Sequence, residues 1–589
     1  MNSLYNKYLL FIAGLGGLLY GIDVGVIAGA LPYLQATTNY TAAQLSTVVA
    51  AVLLGSVLSS LFAGSLSDLF GRKAIMILSG ACFVLSVPVI CIPEGFTWLV
   101  AGRILQGAAA GLIGVVVPLY LAENLPAEKR GFGTGMFQFM LTIGLVFAAL
   151  VGICFASHVE TVAATGDPVK ILAAKNFAWR AIFWACAVPG VIFTVGAFFI
   201  SESARWLFKK GKMDAALKAL IRSRGEELAK KELADMGAEP AEGEADKADA
   251  NTPKDSLFQK KYIVPFVLAV VILACNQATG VNSVLAYIVD VLKQAGLDGA
   301  LANWGDLTVK ILNMVITLVA MFLVDRLGRK FLLTIGTSGI IIGLLGVAFL
   351  FYSSESKMED YTKNLPKIAY ARTVTENVVD AKTGLEVKDA NGKIKTQDNT
   401  YDFIYTMTPA KVALLTRKPF EDSQVKVIYA VNGGTSSKTI VVRKGIPEAD
   451  LTMKIPAEEG KTFELKGIKV GPLPTQANGW LVTVFFALFI SAFAIGPGVC
   501  VWLALSELMP NRIRAVGMSV ALLINQGVST IIAGTFLPVV AICGYNTIFF
   551  FCAGCTVIYW ITAVFFLPET KGRTLEEIEA YFSGKKKLN

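Results

Sequence analysis

Long apolar runs separated by short polar segments are the dominant pattern along this chain. A helix that crosses a membrane needs roughly 20 mostly apolar residues. Twelve segments satisfy this requirement, at about 8–33, 44–66, 73–91, 97–122, 132–156, 178–200, 260–292, 304–324, 331–352, 478–504, 515–542 and 545–567. The pattern therefore predicts an all-α polytopic membrane protein with twelve transmembrane helices.

A short motif occurs at matching places in the two groups of six runs. GSLSDLFGRK (64–73) follows the second run, and VDRLGRK (324–330) follows the eighth. In each copy an Asp precedes a Gly that is followed by Arg and Lys; the residues are Asp68, Arg72, Asp325 and Arg329. Charges that only set topology would explain the basic residues but not the matched Asp and Gly. The repeat predicts two six-helix bundles that move against each other, which is the layout of an alternating-access transporter.

The polar segments divide the chain into six parts. We expect an N-terminal bundle (1–200), cytoplasmic amphipathic helices with a linker (201–259), the first part of a C-terminal bundle (260–352), an extracytoplasmic insertion (353–477), the rest of that bundle (478–567) and a cytoplasmic tail (568–589). The stretch that begins at Met213 has helical apolar spacing. It predicts helices that brace the two halves, although a solvated connector is an equal alternative.

The insertion has the signals of a small β-rich domain. Residues 425–431, 437–443 and 462–470 alternate at least partly between polar and apolar, and NGG at 432–434 is a hairpin turn signal. The polar stretch 370–401 is alternatively a disordered loop.

Composition supports a membrane protein. Hydrophobic residues make up 54% of the chain and charged residues 16%, whereas soluble domains typically carry about 25% charged residues. The net charge of +9 comes from basic residues in alternate short loops, so we expect no nucleic-acid partner. By the positive-inside rule both termini are cytoplasmic.

Several kinds of chemistry find no support in the residues. The nine cysteines fall in or beside apolar runs, which indicates no disulfide framework. No P-loop, metal cluster or nucleophile constellation occurs, so we expect no enzyme activity, catalytic residue, metal or cofactor. The only histidine, His158, is interpreted as a surface residue of a loop.

One acidic residue, Asp23, interrupts the first apolar run. An isolated charge in a membrane is costly, so such a residue is by default a candidate functional site. Arg103, at the start of the fourth run, is its expected partner. A permanent structural ion pair is the alternative.

A set of amide and aromatic side chains offers a second candidate site. Hydroxyl-rich ligands need partners that both donate and accept hydrogen bonds, together with an aromatic face. Side chains of these types occur within the apolar runs at Gln138, Asn276, Gln277, Asn282, Asn313, Trp502, Asn525 and Gln526. Gly280 can loosen the helix between Gln277 and Asn282, so that both face one cavity. Each amide taken singly is also explained as a link between helices.

Five further motifs indicate a specific protein family. They are GRILQGAAAGLIGVVVPLYLAENLPAEKRG from Gly102, SESARWL from Ser201, NQATGVNSVLAY from Asn276, SELMPNRIR from Ser506 and PETKG from Pro568. With them the chain resembles the sugar porters of the major facilitator superfamily, both the proton-linked bacterial pentose and hexose symporters and the facilitative glucose transporters. The resemblance covers nearly the whole chain except 353–477.

The resemblance implies roles for particular residues. Asp23 and Arg103 stand where proton-coupled members have their proton-carrying couple, and the amide set stands at sugar-contacting positions. Interdomain salt-bridge positions are matched by Glu123, Arg130, Glu202, Arg205, Glu507, Arg514, Glu569 and Arg573, and we expect these to shape gating together with the two hinge motifs. The sequence departs from the family pattern at Asn276, Ala286, Gln526 and the GPGVCVW segment from Gly496, so the particular sugar stays open.

These features predict a secondary active transporter that imports a monosaccharide by proton symport. Its partners would be the sugar, protons and the lipid bilayer. We expect the protein to function as a monomer. Its expected location is the plasma membrane, specifically the bacterial inner membrane. A sugar uniporter or a carrier of another polar solute is the first alternative. A membrane sensor that binds sugar through the insertion is the second.

Overall fold

The computed structural model of the protein describes most of the chain. The described residues are 3–38, 40–125, 130–238, 259–364, 372–377, 393–445, 452–456, 462–509, 514–569 and 581–582. At Arg130, Asp325, Trp502, Glu507 and Arg514 the description covers the backbone but not the side chain.

Six long helices form the first half. They are α1 (Ser3–Thr37), α2 (Ala42–Phe70), α3 (Arg72–Cys91), α4 (Phe96–Asn124), α5 (Arg130–Ala163) and α6 (Pro168–Phe199). Among the described residues that follow, three shorter helices occur, α7 (Ala204–Lys209), α8 (Met213–Arg224) and α9 (Glu226–Ala238). The helical spacing from Met213 thus gives two helices, and most of the predicted linker lies outside the described residues.

The second half also supplies six spans, two of which are interrupted. Its helices are α10 (Lys260–Ala278), α11 (Val281–Gln294), α12 (Gly299–Leu327), α13 (Arg329–Glu355), α15 (Gln476–Ile495), α16 (Pro497–Leu508), α17 (Arg514–Cys543) and α18 (Tyr545–Ile561). In total, twelve helical spans of the described residues are long and apolar enough to cross a membrane. The sequence prediction of twelve spans is confirmed.

Glycines bring the helices of the first half into close contact. Gly17, Gly21, Gly25 and Gly29 recur every four residues along α1, on the side that packs against α5. A Cβ atom at Gly21 would lie 1.9 Å from the Leu141 carbonyl oxygen. Small residues at such spacing let backbones approach closely, which drives helix association where the hydrophobic effect is weak.

The turns between α2 and α3 and between α12 and α13 are built in the same way. Gly71 and Gly328 have φ of +97° and +89°, a backbone conformation that L side chains rarely adopt. The Glu202 carboxylate accepts hydrogen bonds from the Arg72 and Lys73 N–H groups at 2.9 and 3.1 Å. Glu569 does the same for Arg329 and Lys330 at 3.1 and 3.2 Å. A carboxylate thus satisfies the free N–H groups of a helix start in both halves.

These turns mark the hinge end of the bundle, and the opposite end, where α13 leads into the insertion, is the insertion end. The two halves meet at the insertion end through α1 with α11 and through α2 with α17. The helices α5 and α12 form a further seam between the halves. Near the hinge end of that seam, a Cβ atom at Gly135 would lie 2.4 Å from Met321 Cε.

The described residues of the insertion form two antiparallel sheets and one short α-helix. Strands β1 (Glu359–Asp360), β7 (Phe463–Pro472), β4 (Ser423–Val431) and β5 (Gly434–Val442) form the first sheet in that spatial order. Strands β2 (Arg372–Asn377), β3 (Thr396–Thr406) and β6 (Thr452–Pro456) form the second sheet, and α14 (Pro409–Thr416) follows β3. The predicted β-rich domain is present.

The hairpin β4–β5 turns at the predicted NGG sequence. Asn432 and Gly433 both have positive φ, +51° and +78°, which is the conformation of the turn type that matches strand twist. On the stretch 370–401, offered above as a disordered loop, Arg372–Asn377 pairs with Thr396–Tyr401. Residues 378–392 lie outside the described part of the chain.

Candidate transport site

The Asp23–Arg103 pair joins α1 to α4 in the middle of the first half. Both side chains are 1% exposed, and Arg103 Nη1 lies 3.8 Å from Asp23 Oδ1. That separation exceeds hydrogen-bond length, and among the described residues Oδ1 makes no hydrogen bond. Arg103 Nη1 instead donates to Gln106 Oε1 at 2.8 Å, and the guanidinium lies 5.6 Å from the Phe183 ring centre. The carboxylate is therefore held near a cation without being fixed to it.

The seventh span is broken beside the predicted sugar-contacting amides. Gly280 has φ of +79° and separates α10 from α11. The Asn282 side-chain amide donates across the break to Gln277 Oε1 at 3.0 Å and to Ser529 Oγ of α17 at 2.9 Å. The break thus brings two of the predicted residues together, and it adds Ser529, which sequence reasoning missed.

Two neighbouring amides are buried without a complete set of partners. Asn525 is 1% exposed, and neither its oxygen nor its nitrogen has a hydrogen-bond partner among the described residues; the same is true of Asn276 Oδ1. Asn525 and Ser529 are four residues apart on α17 and share one face. Buried polar groups are normally paired, so these atoms are available to a bound hydroxylated ligand. We call Asn276, Gln277, Asn282, Asn525 and Ser529 the amide cluster.

The other predicted contacts are distributed around this cluster. Asn313 is 9% exposed on α12, and Gln138 is half-buried on α5. Gln526 interacts with the Tyr20 hydroxyl of α1, which also interacts with Ser56. Gln526 therefore links the two halves. The Trp502 side chain lies outside the described part of the chain.

An aromatic layer lies on the insertion side of the amide cluster. The Tyr287 and Phe536 rings stack with centres 4.5 Å apart. The Tyr287 hydroxyl lies 2.9 Å from the Ala533 carbonyl oxygen, to which it donates, and 3.3 Å from Ser46 Oγ of the first half. Ser46 Oγ also accepts from the Leu537 N–H at 3.1 Å. Tyr287 thus joins the two halves on the insertion side of the amide cluster, and we call this contact the Tyr287 gate.

A second buried charge pair was missed by the sequence reasoning. Lys310 Nζ donates to Asp306 Oδ2 at 2.7 Å within α12, and the two side chains are 0% and 2% exposed. The sequence contained a signal for this pair, because Asp306 and Lys310 are opposite charges four residues apart inside the apolar run 304–324. Asp306 Oδ1 has no hydrogen-bond partner among the described residues.

The predicted interdomain residues make their described contacts inside one half. Arg72 forms two hydrogen bonds to the Glu123 carboxylate, both 2.9 Å, and lies 2.8 Å from Asp68. Glu202 and Glu569 bind the helix starts described above. Through these hydrogen bonds each carboxylate braces a helix start of its own half. The Arg205 side chain is half-buried, and Arg573 lies outside the described residues.

The fold and this site define a twelve-helix membrane transporter with two bundles and a central polar cluster. The family model described as "Sugar (and other) transporter" matches residues 9–370 and 464–582. The chain belongs to this family, whose members are transporters. The residues between the two matched ranges, 371–463, fall within the insertion.

Relatives and solved structures agree with the family. The chain is 27% identical to the glucose transporter GlcP of Staphylococcus epidermidis, covering 98% of this chain and 97% of that protein. It is 26% identical to the proton myo-inositol cotransporter hmit-1.1 of Caenorhabditis elegans, covering 98% and 90%. The fold matches a partially occluded inward-open structure of the xylose transporter XylE from E. coli, with a TM-score of 0.64, 20% identity and coverage of 97% and 100%.

Proposed function

We propose that the protein imports a monosaccharide by proton symport with alternating access. The observation that carries the proposal is the buried Asp23–Arg103 pair. It lies in a chain whose family is described as sugar and other transporters. The named relatives include both a glucose transporter and a proton-coupled cotransporter.

The sugar binds at the amide cluster. Its hydroxyl groups satisfy Asn276 Oδ1 and both polar atoms of Asn525, which have no partner among the described residues. Asn282 and Gln277 hold each other in place by their mutual hydrogen bond, so part of the site is pre-organised. Because the cluster lies on α10, α11 and α17 of the second half, movement of the first half opens or closes it.

The proton binds at Asp23. Asp23 and Arg103 belong to different helices and are separated by 3.8 Å, so a small shift of α1 against α4 changes how strongly the guanidinium stabilises the carboxylate. A change of this kind between the two conformations alters the proton affinity of Asp23. Proton uptake on one side and release on the other is then coupled to sugar movement.

The test is sugar uptake into proteoliposomes, with and without an imposed pH gradient. Tritiated pentoses, hexoses and myo-inositol are compared for wild type, Asp23→Asn and the exposed surface control Glu226→Gln. For one proton per sugar, wild type should accumulate the substrate about tenfold per pH unit. Asp23→Asn should accumulate none, yet should keep gradient-independent exchange of labelled for unlabelled sugar.

Each result decides between the candidate functions. Accumulation by Asp23→Asn at the wild-type level would remove Asp23 from the coupling mechanism. Equilibration by wild type without any effect of the gradient would establish a uniporter. Uptake of none of the sugars would contradict sugar transport.

For the location we propose a bacterial inner membrane, with both termini and the hinge end in the cytoplasm and the insertion outside. Basic residues in the hinge-end loops support this orientation. A protease added to spheroplasts that express the protein should cleave the insertion and spare α8 and α9; the reverse pattern would invert the topology. We further propose that one chain is sufficient for transport, and uptake into proteoliposomes that contain at most one chain per vesicle tests this.

A further inference from the structure

A cavity of about 310 Å³ lies between the first sheet of the insertion and the insertion end of the bundle. Its walls come from both halves and from the insertion, including Gln35, Asp290, Glu355, Gln424, Lys426 and Tyr429. The volume is within the usual range of small-molecule pockets. We call this cavity the vestibule.

The vestibule is separate from the amide cluster. Leu537 lines the vestibule, whereas Ser529 belongs to the cluster, and eight residues of α17 span about 12 Å. The Tyr287–Phe536 stack lies between them, since Ala533, the acceptor of the Tyr287 hydroxyl, is midway along that stretch. A ligand in the vestibule would therefore rest outside the Tyr287 gate.

The first sheet of the insertion forms the roof of the vestibule, and it turns a polar surface toward the bundle. Gln424 and Lys426 of β4 line the cavity, while Val425 and Val427, which alternate with them, lie in the apolar core of the insertion. A domain that only packed against the bundle would bury an apolar face there. The polar face indicates contact with water or with a hydrophilic ligand.

The roof is attached to both halves. The Ala42 N–H at the start of α2 donates to Ser436 Oγ of β5 at 2.9 Å. Lys426 Nζ donates to the Val540 carbonyl of α17 at 3.3 Å. Burial lowers the pKa of Lys426, and the negative charge of Glu355 opposes that shift. The insertion thus lies over the junction of the two halves and is not displaced to one side.

The chemistry of the lining favours a neutral polyol. Asp290 and Glu355 are balanced by Lys426 and Lys438, so the lining has no excess of either charge. Amides, hydroxyls and aromatic rings complete it, and this is the combination that recognises sugar hydroxyls and the apolar face of a sugar ring. Asp290 already accepts a hydrogen bond from the Tyr545 hydroxyl at 3.2 Å, which orients its carboxylate.

We propose that the vestibule is a second monosaccharide site, in which the sugar is held before it passes the Tyr287 gate. The substrate class rests on the proposed function. The residues that carry the site are Asp290 in the floor and Gln424 and Tyr429 in the roof.

The test counts binding sites on the purified full-length protein in nanodiscs. Equilibrium binding of tritiated D-glucose, D-xylose and myo-inositol is measured for wild type, for Asp290→Ala combined with Tyr429→Ala, and for Asn282→Ala. Ser437→Trp serves as a second vestibule variant, because an indole there fills the cavity while Asp290, Gln424 and Tyr429 stay unchanged. Lys418→Met, which alters an exposed pair elsewhere on the insertion, is the matched control.

Wild type and Lys418→Met should bind two molecules of at least one of these sugars per chain. Both vestibule variants should bind one, and Asn282→Ala should lose the other. A wild-type stoichiometry of one or none, or a stoichiometry of two in a folded Ser437→Trp protein, would overturn the proposal. If uptake fails in the transport assay but the vestibule variants still lose one bound sugar, transport is wrong and the vestibule site stands.

Discussion

In the described part of the chain, each half contains one pair of opposite charges whose side chains are both at most 2% exposed, and the two pairs are built differently. Asp23 and Arg103 lie on separate helices with 3.8 Å between the nearest atoms. Asp306 and Lys310 lie four residues apart on one helix at 2.7 Å. All four side chains are almost completely shielded from solvent.

Whether a pair lies on two helices or on one determines whether its geometry can respond to a conformational change. Movement of one helix against another changes the distance between Asp23 and Arg103. It leaves the distance between Asp306 and Lys310 unchanged, because the α-helix that carries both is moved as a unit. We therefore expect the first pair to couple protons to transport and the second to be a fixed element of the fold.

The largest expected effect concerns coupling. Replacement of the second pair by apolar residues of similar size, Asp306→Leu with Lys310→Met, should leave gradient-driven sugar accumulation within about twofold of wild type, whereas Asp23→Asn should abolish it. The reason is that only the interhelical pair can change its geometry when helices shift against each other. Proteoliposome uptake with an imposed pH gradient measures both. Loss of accumulation in the double variant, with intact exchange, would show that the fixed pair also participates in coupling.

The next effect concerns stability. Lys310→Met alone leaves a buried carboxylate without its cation, which typically costs about 3–5 kcal/mol. The double variant should regain that stability, because apolar pairs often replace buried ion pairs without loss. Thermal unfolding in detergent, followed by size-exclusion chromatography, compares wild type with the single and double variants. Equal destabilisation of the single and double variants would mean that the pair contributes more than mutual neutralisation.

The smallest effect compares the hinge turns of the two halves. A Cβ atom would lie 2.2 Å from Glu202 Oε2 in Gly71→Ala and 2.6 Å from Glu569 Oε2 in Gly328→Ala. Together with the positive φ at both sites, each substitution should cost about 1–3 kcal/mol, more at Gly71 than at Gly328. Gly433→Ala tests positive φ alone, since no atom lies within 4 Å of its added Cβ. The same unfolding assay measures the three variants, and a smaller cost at Gly71 than at Gly433 would contradict the carboxylate contact.

The sequence located many residues of the candidate site and the partner of Asp23, Arg103, but not the partner that Asn282 finds on α17. Asp23 was recognisable because a charge in an apolar run is exceptional, and Gly280 because it separates two amides. Ser529 was not recognisable, since a serine in a helix has many ordinary roles; only the contact with Asn282 singles it out. The Asp306–Lys310 pair was visible as a spacing, but its complete burial depends on the neighbouring helices.

The sequence by itself determined the elements that depend on local properties of the chain. Twelve apolar runs determined twelve spans, because a membrane imposes a minimum length and apolarity on each helix. The two hinge motifs and the NGG turn followed from residue types that adopt positive φ at low cost.

Only the tertiary structure decided which groups meet. The carboxylates of Glu202 and Glu569 accept hydrogen bonds from helix starts of their own halves. The insertion contacts both bundles through hydrogen bonds of Ser436 and Lys426. These contacts join residues more than 100 positions apart, so hydropathy and periodicity, which are read within one segment, carry no information about them. Their geometry arises from the packing of whole helices and of the inserted sheet.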